Sequence, residues 1–139
     1  VSLESKLNVD ELATLGKQIA MHVAATSPKS LSIDDLDEKI VNRERQVLID
    51  QAIASGKSKE TADKIVQGRM HKFYQEVVLS EQVSVLDGET KIKDLVKNFS
   101  KEKNSDIELT GFKIIKLGDG IEVEETNFAE EVAATAGKN

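Results

Sequence analysis

Two histidines, several paired carboxylates, one glycine-aspartate-glycine turn and one lysine-rich stretch are the places where this 139-residue chain could do chemistry. His22 stands between Met21 and Val23 near the end of a helical pattern. As a general base it would need a nucleophile or a carboxylate beside it, and the sequence places neither. A histidine in the last turn of a helix interacts favourably with the helix dipole, and that is the reading its position supports. His71 follows Met70 on a charged helical surface and reads as solvated. The two are too far apart to give a metal-ligand spacing, and with no cysteine in the chain both thiolate sites and disulfides are excluded. Asp34-Asp35 and Glu130-Glu131 fall where helices are expected to begin, which favours the dipole and needs no acid-base role. Gly118-Asp119-Gly120 lacks the pattern of a phosphate loop and leads into strand-like Ile121 and Val123, so it reads as a hairpin turn. Lys57, Lys59, Lys64, Arg69 and Lys72 are interleaved with Glu60 and Asp63, which makes a solvated charged face the better reading than an RNA contact. No catalytic residue, metal or cofactor is expected.

The elements that must hold these residues follow from the hydrophobic spacing. Asn8 or Asp10 can cap a helix carrying Leu12, Leu15, Ile19 and Val23 on one face, which must end before Pro28. Two long helices are then expected about Gly56. The first, Ile33 to Ser55, carries a stripe at Ile33, Leu36, Ile40, Val47 and Ala54, flanked by Val41, Leu48 and Ala52. The second, Ser58 to Leu79, carries Ala62, Ile65, Val66, Met70, Phe73 and Val77. The short link with its glycine folds them back on each other, antiparallel. Val83, Val85 and Leu86 form a short apolar run before the Asp87-Gly88 turn. Thr90 is expected to cap a helix with Ile92, Leu95, Val96 and Phe99 inside, and residues 100–105 to form a loop. Ile107 and Leu109 alternate as a half-buried strand, the phase slips at Gly111 as at a bulge or a close backbone approach, and Phe112 and Ile114 take over. Ile121 and Val123 return as a partner strand, and Val1 to Glu4 adds a third. Asn127 with Glu130 fits a capping box for a short last helix with Phe128 and Val132 on one face.

The fold class is therefore α+β: a small antiparallel sheet of about three strands with packed helices, interrupted by a protruding antiparallel helical hairpin, plus a short C-terminal helix. Residues 1–28 and 80–123 are read as the core, 29–79 as the inserted hairpin and 124–139 as a C-terminal module. Aromatic residues are only 4% of the chain, so the core must be thin and aliphatic. The net charge of −6 argues against general nucleic-acid affinity but leaves room for a local basic patch. No apolar run is long enough to span a membrane, so the cytoplasm is the default location. The chain opens without methionine on strand-like Val1-Ser2-Leu3, as a piece of a longer protein would.

Three segments together carry a family resemblance: Gly16-Lys17-Gln18-Ile19-Ala20-Met21-His22-Val23-Ala24-Ala25; Ser55 to Glu60 with Gly68-Arg69-Met70-His71-Lys72-Phe73 downstream; and Glu122 to Ala134. In order and spacing the chain resembles the C-terminal half of bacterial-type translation elongation factor Ts. The resemblance implies a guanine-nucleotide exchange factor for elongation factor Tu, in which partner and nucleotide weaken each other's binding. It implies that the helical hairpin is a coiled-coil dimerisation domain, that the core packs on the third domain of elongation factor Tu, and that the C-terminal helix lies on that factor's nucleotide-binding domain. Carried over by position, the tail contact falls on Thr126, Asn127, Phe128, Val132 and Ala133. The family's Thr-Asp-Phe-Val motif, which acts near the partner's magnesium, has no counterpart here; Thr126-Asn127-Phe128 belongs to the tail. A homodimer is possible in this reading, whereas direct contact with nucleic acid or membrane is not expected. The competing function is a coiled-coil scaffold or homodimerisation module without exchange activity.

Overall fold

The computed structural model describes residues 1–56 and 58–118 (of Lys59, the backbone alone). Its elements are β1 (Ser2–Ser5), α1 (Val9–Thr26), α2 (Glu38–Ala54), α3 (Lys59–Val77), a 3-10 turn (Leu79–Glu81), α4 (Ile92–Glu102) and β2 (Ile107–Gly111). The class is α+β as expected.

Local chemistry sets where α1 begins and ends. The Asn8 side chain accepts from the Glu11 amide at 2.9 Å and the Glu11 carboxylate answers to the Asn8 amide, a reciprocal cap. At the other end Ser27 turns left-handed with φ 47°, one residue before the buried Pro28. The inward face of α1 is Leu15, Ile19, His22 and Val23.

β1 and β2 pair antiparallel, with Leu3 opposite Leu109 and Ser5 opposite Ile107. The register slips between Ser2 and Leu3, because Ser2 faces Gly111 and Thr110 is left over. This is the bulge that the phase slip at Gly111 foretold. The sheet has two strands among the described residues, not three. Phe112 and Ile114 are half-buried against the core but lie outside the strand, and the partner expected at Ile121 and Val123 lies outside the described residues. So do the predicted last helix and the Glu130-Glu131 pair.

The principal core joins both ends of the described chain. Leu15, Ile19 and Val23 of α1 meet Leu79, Ile92 and Val96, with Ile107 from β2 and Leu3 and Leu109 packed on them. Leu15, Ile19, Leu79 and Ile92 have no exposed surface at all. A second, separate cluster lies between α2 and α3: Leu48, Ala52, Ala62, Val66 and Met70, flanked by Val41, Ile49, Phe73 and Tyr74. Two alanines in five buried positions let the helices approach closely. Residues 29–31 and 77–80 run side by side, with Lys29 N–H on the Val77 carbonyl at 2.8 Å and Leu79 N–H on the Ser30 carbonyl at 2.9 Å. α3 thus returns the chain to the place it left before α2.

The structure corrects several expectations. α2 starts at Glu38, capped by Asp37, rather than at Ile33. The preceding turn is held otherwise: the Ser32 hydroxyl donates to Asp35 at 2.6 Å and the Ser32 amide to the same oxygen at 3.1 Å. Asp34-Asp35 therefore sits in this turn, not at a helix start. The buried side of α2 is the stripe taken as flanking; Val47 and Ala54 of the supposed main stripe are exposed, as is Ile33 in the turn. Ser58 occupies the cap position of α3, but its hydroxyl meets Thr61 Oγ1 at 2.9 Å and no backbone amide. Lys91, not Thr90, is the N-cap of α4, because both the amide and the carbonyl of Thr90 are already bound, by Asp87 and Ser84. The helix also continues through residues 100–102, where the polar run predicts a loop.

α4 opens with two lysines near its first turn, the wrong sign for a helix N-terminus. Glu81 compensates, accepting from Lys93 at 2.6 Å and Lys91 at 2.8 Å. The Lys91 and Lys93 ammonium groups hold its carboxyl below the ordinary 4.5, against the opposing effect of burial. A carboxyl held lower in the folded state stabilises above its ordinary value, and the contribution is lost as pH falls through the folded value. Glu81→Gln is therefore expected to cost about 1 kcal/mol at pH 7, discounted because Lys93 is half exposed. The difference from the parent should close as the solution is acidified below the ordinary glutamate range. Urea titrations of both proteins at neutral and acid pH check this; a cost that does not change with pH would remove the ion-pair explanation.

Candidate partner interface

Between the 3-10 turn and α4 the usual burial rule is inverted. Gln82 and Ser84 are buried, 4% and 2% exposed, whereas Val83, Val85 and Leu86 are 40%, 50% and 52% exposed. A buried polar residue and a contiguous exposed apolar patch are each more informative than a lone exposed leucine, and here they alternate along one segment.

The buried side explains why the apolar side is held out. Val85 N–H can only donate, and it points at His22 Nδ1 at 3.2 Å. That nitrogen must accept, so the imidazole is neutral with its proton on Nε2, which donates to Gln82 Oε1 at 2.9 Å. Gln82 Nε2 donates in turn to the Glu76 carbonyl at 2.7 Å, at the end of α3. The Thr26 hydroxyl lies 3.0 Å from the same Gln82 oxygen and 2.9 Å from the His22 carbonyl. Among the described residues no buried side-chain nitrogen or oxygen lacks a partner. The network ties α1, α3 and the segment Gln82–Leu86 together through atoms of fixed role, the condition under which buried polar groups specify geometry.

The backbone of the segment is fastened at both ends. Ile92 N–H donates to the Gln82 carbonyl at 2.9 Å, Ser84 N–H to the Thr90 carbonyl at 2.8 Å and Gly88 N–H to the Ser84 carbonyl at 2.8 Å. Asp87 closes the turn by accepting from the Glu89 and Thr90 amides, each at 3.1 Å. The Thr90 side chain, followed by those amides, holds the Asp87 carboxyl below its ordinary value. Gly88 has φ 71°, the left-handed conformation that suits glycine at this turn. The result is an apolar surface presented on a braced support.

His22 is thus a satisfied buried histidine, 1% exposed, and the dipole reading of it gives way to this network. His71 is exposed, 3.2 Å from Gln75 Nε2, as a solvated residue should be. Lys64, Arg69 and Lys72 are exposed, and Arg69 donates to Gln51 of α2 at 2.8 Å. Thr126, Asn127, Phe128, Val132 and Ala133 lie outside the described residues. Among the described residues no cluster of three or more histidine or acidic side chains could hold a metal, and no helix is long and apolar enough to cross a membrane. In the sequence Val83, Val85 and Leu86 read only as a short apolar run before the Asp87-Gly88 turn, and nothing there says that the run faces outward.

Comparison with known proteins places the chain. A family model described as Elongation factor TS matches residues 1–119. The elongation factor Ts of Rhodospirillum centenum is 53% identical over 137 residues, covering 99% of this chain and 45% of that protein. That of Paramagnetospirillum magneticum is 51% identical and that of Zymomonas mobilis 46%, over 99% of this chain in each case. The chain spans about 45% of the length of these relatives. With three-quarters and more of its residues inside the family match, running from β1 through α4 and β2, this chain belongs to the elongation factor Ts family.

Proposed function

We propose that this chain supplies the partner-docking part of a guanine-nucleotide exchange factor for elongation factor Tu, working in the cytoplasm. The observation that carries the reading is the outward-facing Val83, Val85 and Leu86, braced from behind by His22 and Gln82, in a member of this translation-factor family. An apolar surface of this kind is stable in water only at a cost that a partner removes. We assign it as the contact to the third domain of elongation factor Tu. Residues 1–28 and 80–123 form the core in this reading, 29–79 an antiparallel coiled-coil insertion, and 124–139 a helical module that reaches the partner's nucleotide-binding domain through Thr126, Asn127, Phe128, Val132 and Ala133. The chain performs no covalent chemistry. It shifts the partner between conformations, so that its own binding and that of GDP oppose each other.

The Asp-Phe motif that the family resemblance assigns to the magnesium site has no counterpart in this sequence. This chain is therefore expected to bind elongation factor Tu yet leave GDP release near its uncatalysed rate. Calorimetry measures the first and stopped-flow release of a fluorescent GDP analogue the second. Absence of binding overturns the docking assignment; full-rate exchange overturns the division of labour. A second reading, self-association through the coiled coil, is favoured by Val47 and Ile53, 42% and 65% exposed on α2. Sedimentation of the chain alone, with and without Val47→Asp, decides it.

A further inference from the structure

We propose that the groove where α4 ends against the β1–α1 turn is a binding site for the phosphodiester backbone of single-stranded RNA, read without regard to sequence. Lys6, Lys97 and Lys101 line a groove of about 560 Å³, with Asn104, Ser105 and Asp106 at its floor and rim. All three lysines are exposed, and the ion pairs at the start of α4, of Glu81 with Lys91 and Lys93, involve none of them. The groove carries these three lysines against one acid, Asp106, in a chain whose net charge is −6, so its positive charge is local.

Three observations narrow the ligand. Lys97 and Lys101 stand four residues apart on α4, hence on one side and about 6 Å apart along its axis, and Lys6 of the β1–α1 turn lines the same groove. Compact ammonium groups on flexible stems are phosphate binders. The lining contains no apolar side chain, whereas a protein interface is built on an apolar centre and a base-reading site on stacked aromatics. The nearest ring, Phe99, already has the Lys103 ammonium 5.7 Å from its centroid. Phosphate contact without base contact is what remains. Lys101, in the last turn of α4, also favours the helix dipole, but Lys6 and Lys97 have no such reason to be there. The loop that shapes the floor is fixed: Ser5 Oγ donates to the Asp106 carbonyl at 2.7 Å, and Asn104 takes a left-handed φ of 48°.

Fluorescence anisotropy with a labelled single-stranded oligouridylate on the full chain tests this. Binding is expected at low salt, with log K falling against log salt at a slope of about −2, the value for three contacts on a single strand. K97Q/K101Q should weaken it about tenfold and reduce the slope by about 1.4. K64Q/K72Q on α3 should leave both unchanged. Thermal melts of each variant confirm that folding is retained. Absence of binding at low salt overturns the site, as does equal loss in the α3 variant. Polyglutamate binding as tightly, with the same dependence on Lys97 and Lys101, would give the groove to an acidic protein surface instead and overturn the RNA assignment. The readout does not involve elongation factor Tu, so its failure is distinct from failure of the docking reading.

Discussion

Gln82→Met should lower the stability of this protein by about 2–3 kcal/mol, although the side chain keeps its length and nearly its volume. The substitution leaves no cavity to speak of, so the packing contribution is small. What it removes is the hub of the buried network. The His22 Nε2 proton loses its acceptor, since Gln82 Oε1 at 2.9 Å is the one recorded for it. The Glu76 carbonyl loses the Gln82 amide at 2.7 Å. Thr26 is spared, because its hydroxyl can still donate to the His22 carbonyl. Stranding a buried donor costs about 1–3 kcal/mol, and the second loss is smaller because Glu76 is an exposed residue. His22→Leu should cost a similar amount by the complementary route, orphaning the Val85 amide and one side of the Gln82 oxygen. The double variant should be less destabilised than the two costs added, by about 1–2 kcal/mol, because each single change breaks a bond that the other also breaks. Urea unfolding of the four proteins gives the cycle. Additivity within about 0.5 kcal/mol would mean that the two side chains act separately and that the network is a coincidence of position.

How much of this could be read in advance varies with how local the determinant is. The start and stop of α1 were legible because Asn8, Glu11 and Pro28 act on their own neighbours. So was the irregularity next to Gly111, where Thr110 is left over, since a phase slip appears within a single strand. The orientation of α2 was not. Ile40-Val47-Ala54 and Val41-Leu48 are two apolar rows one residue apart, and nothing on the helix itself ranks them. The choice is made by α3, where Ala62 and Met70 accept Leu48 and Ala52. α2 began late because Ser32 and Asp35 satisfy each other in a turn of their own, a local competitor to the helix. α4 ran on because lysine and glutamate are good helix formers, and a polar run after the last apolar residue is a loop only if nothing else favours helix. The candidate interface was the least legible feature. A period of two says that Gln82 and Ser84 share a side, but which side is wet depends on His22, sixty residues away.

If the braced segment docks on elongation factor Tu as proposed, Val85→Asp and Leu86→Asp together should reduce that binding by more than a hundredfold while leaving the fold intact. Each parent side chain is about half exposed, so each has about 1 kcal/mol of apolar burial still to gain in a complex. Aspartate forfeits that gain and must also be desolvated against an apolar counterpart, which brings the combined loss to about 3–4 kcal/mol. At 1.4 kcal/mol per decade this is at least two orders of magnitude in Kd. In the free protein the same carboxylates stand in water, and the Val85 amide still reaches His22, so the unfolding midpoint should hardly move. Gln82→Met gives the opposite pattern, a large loss of stability with the apolar surface chemically unchanged and only its support loosened. Measured side by side, the two variants separate a surface that touches the partner from the network that presents it. If the aspartate pair binds as the parent does, the braced segment is not the interface.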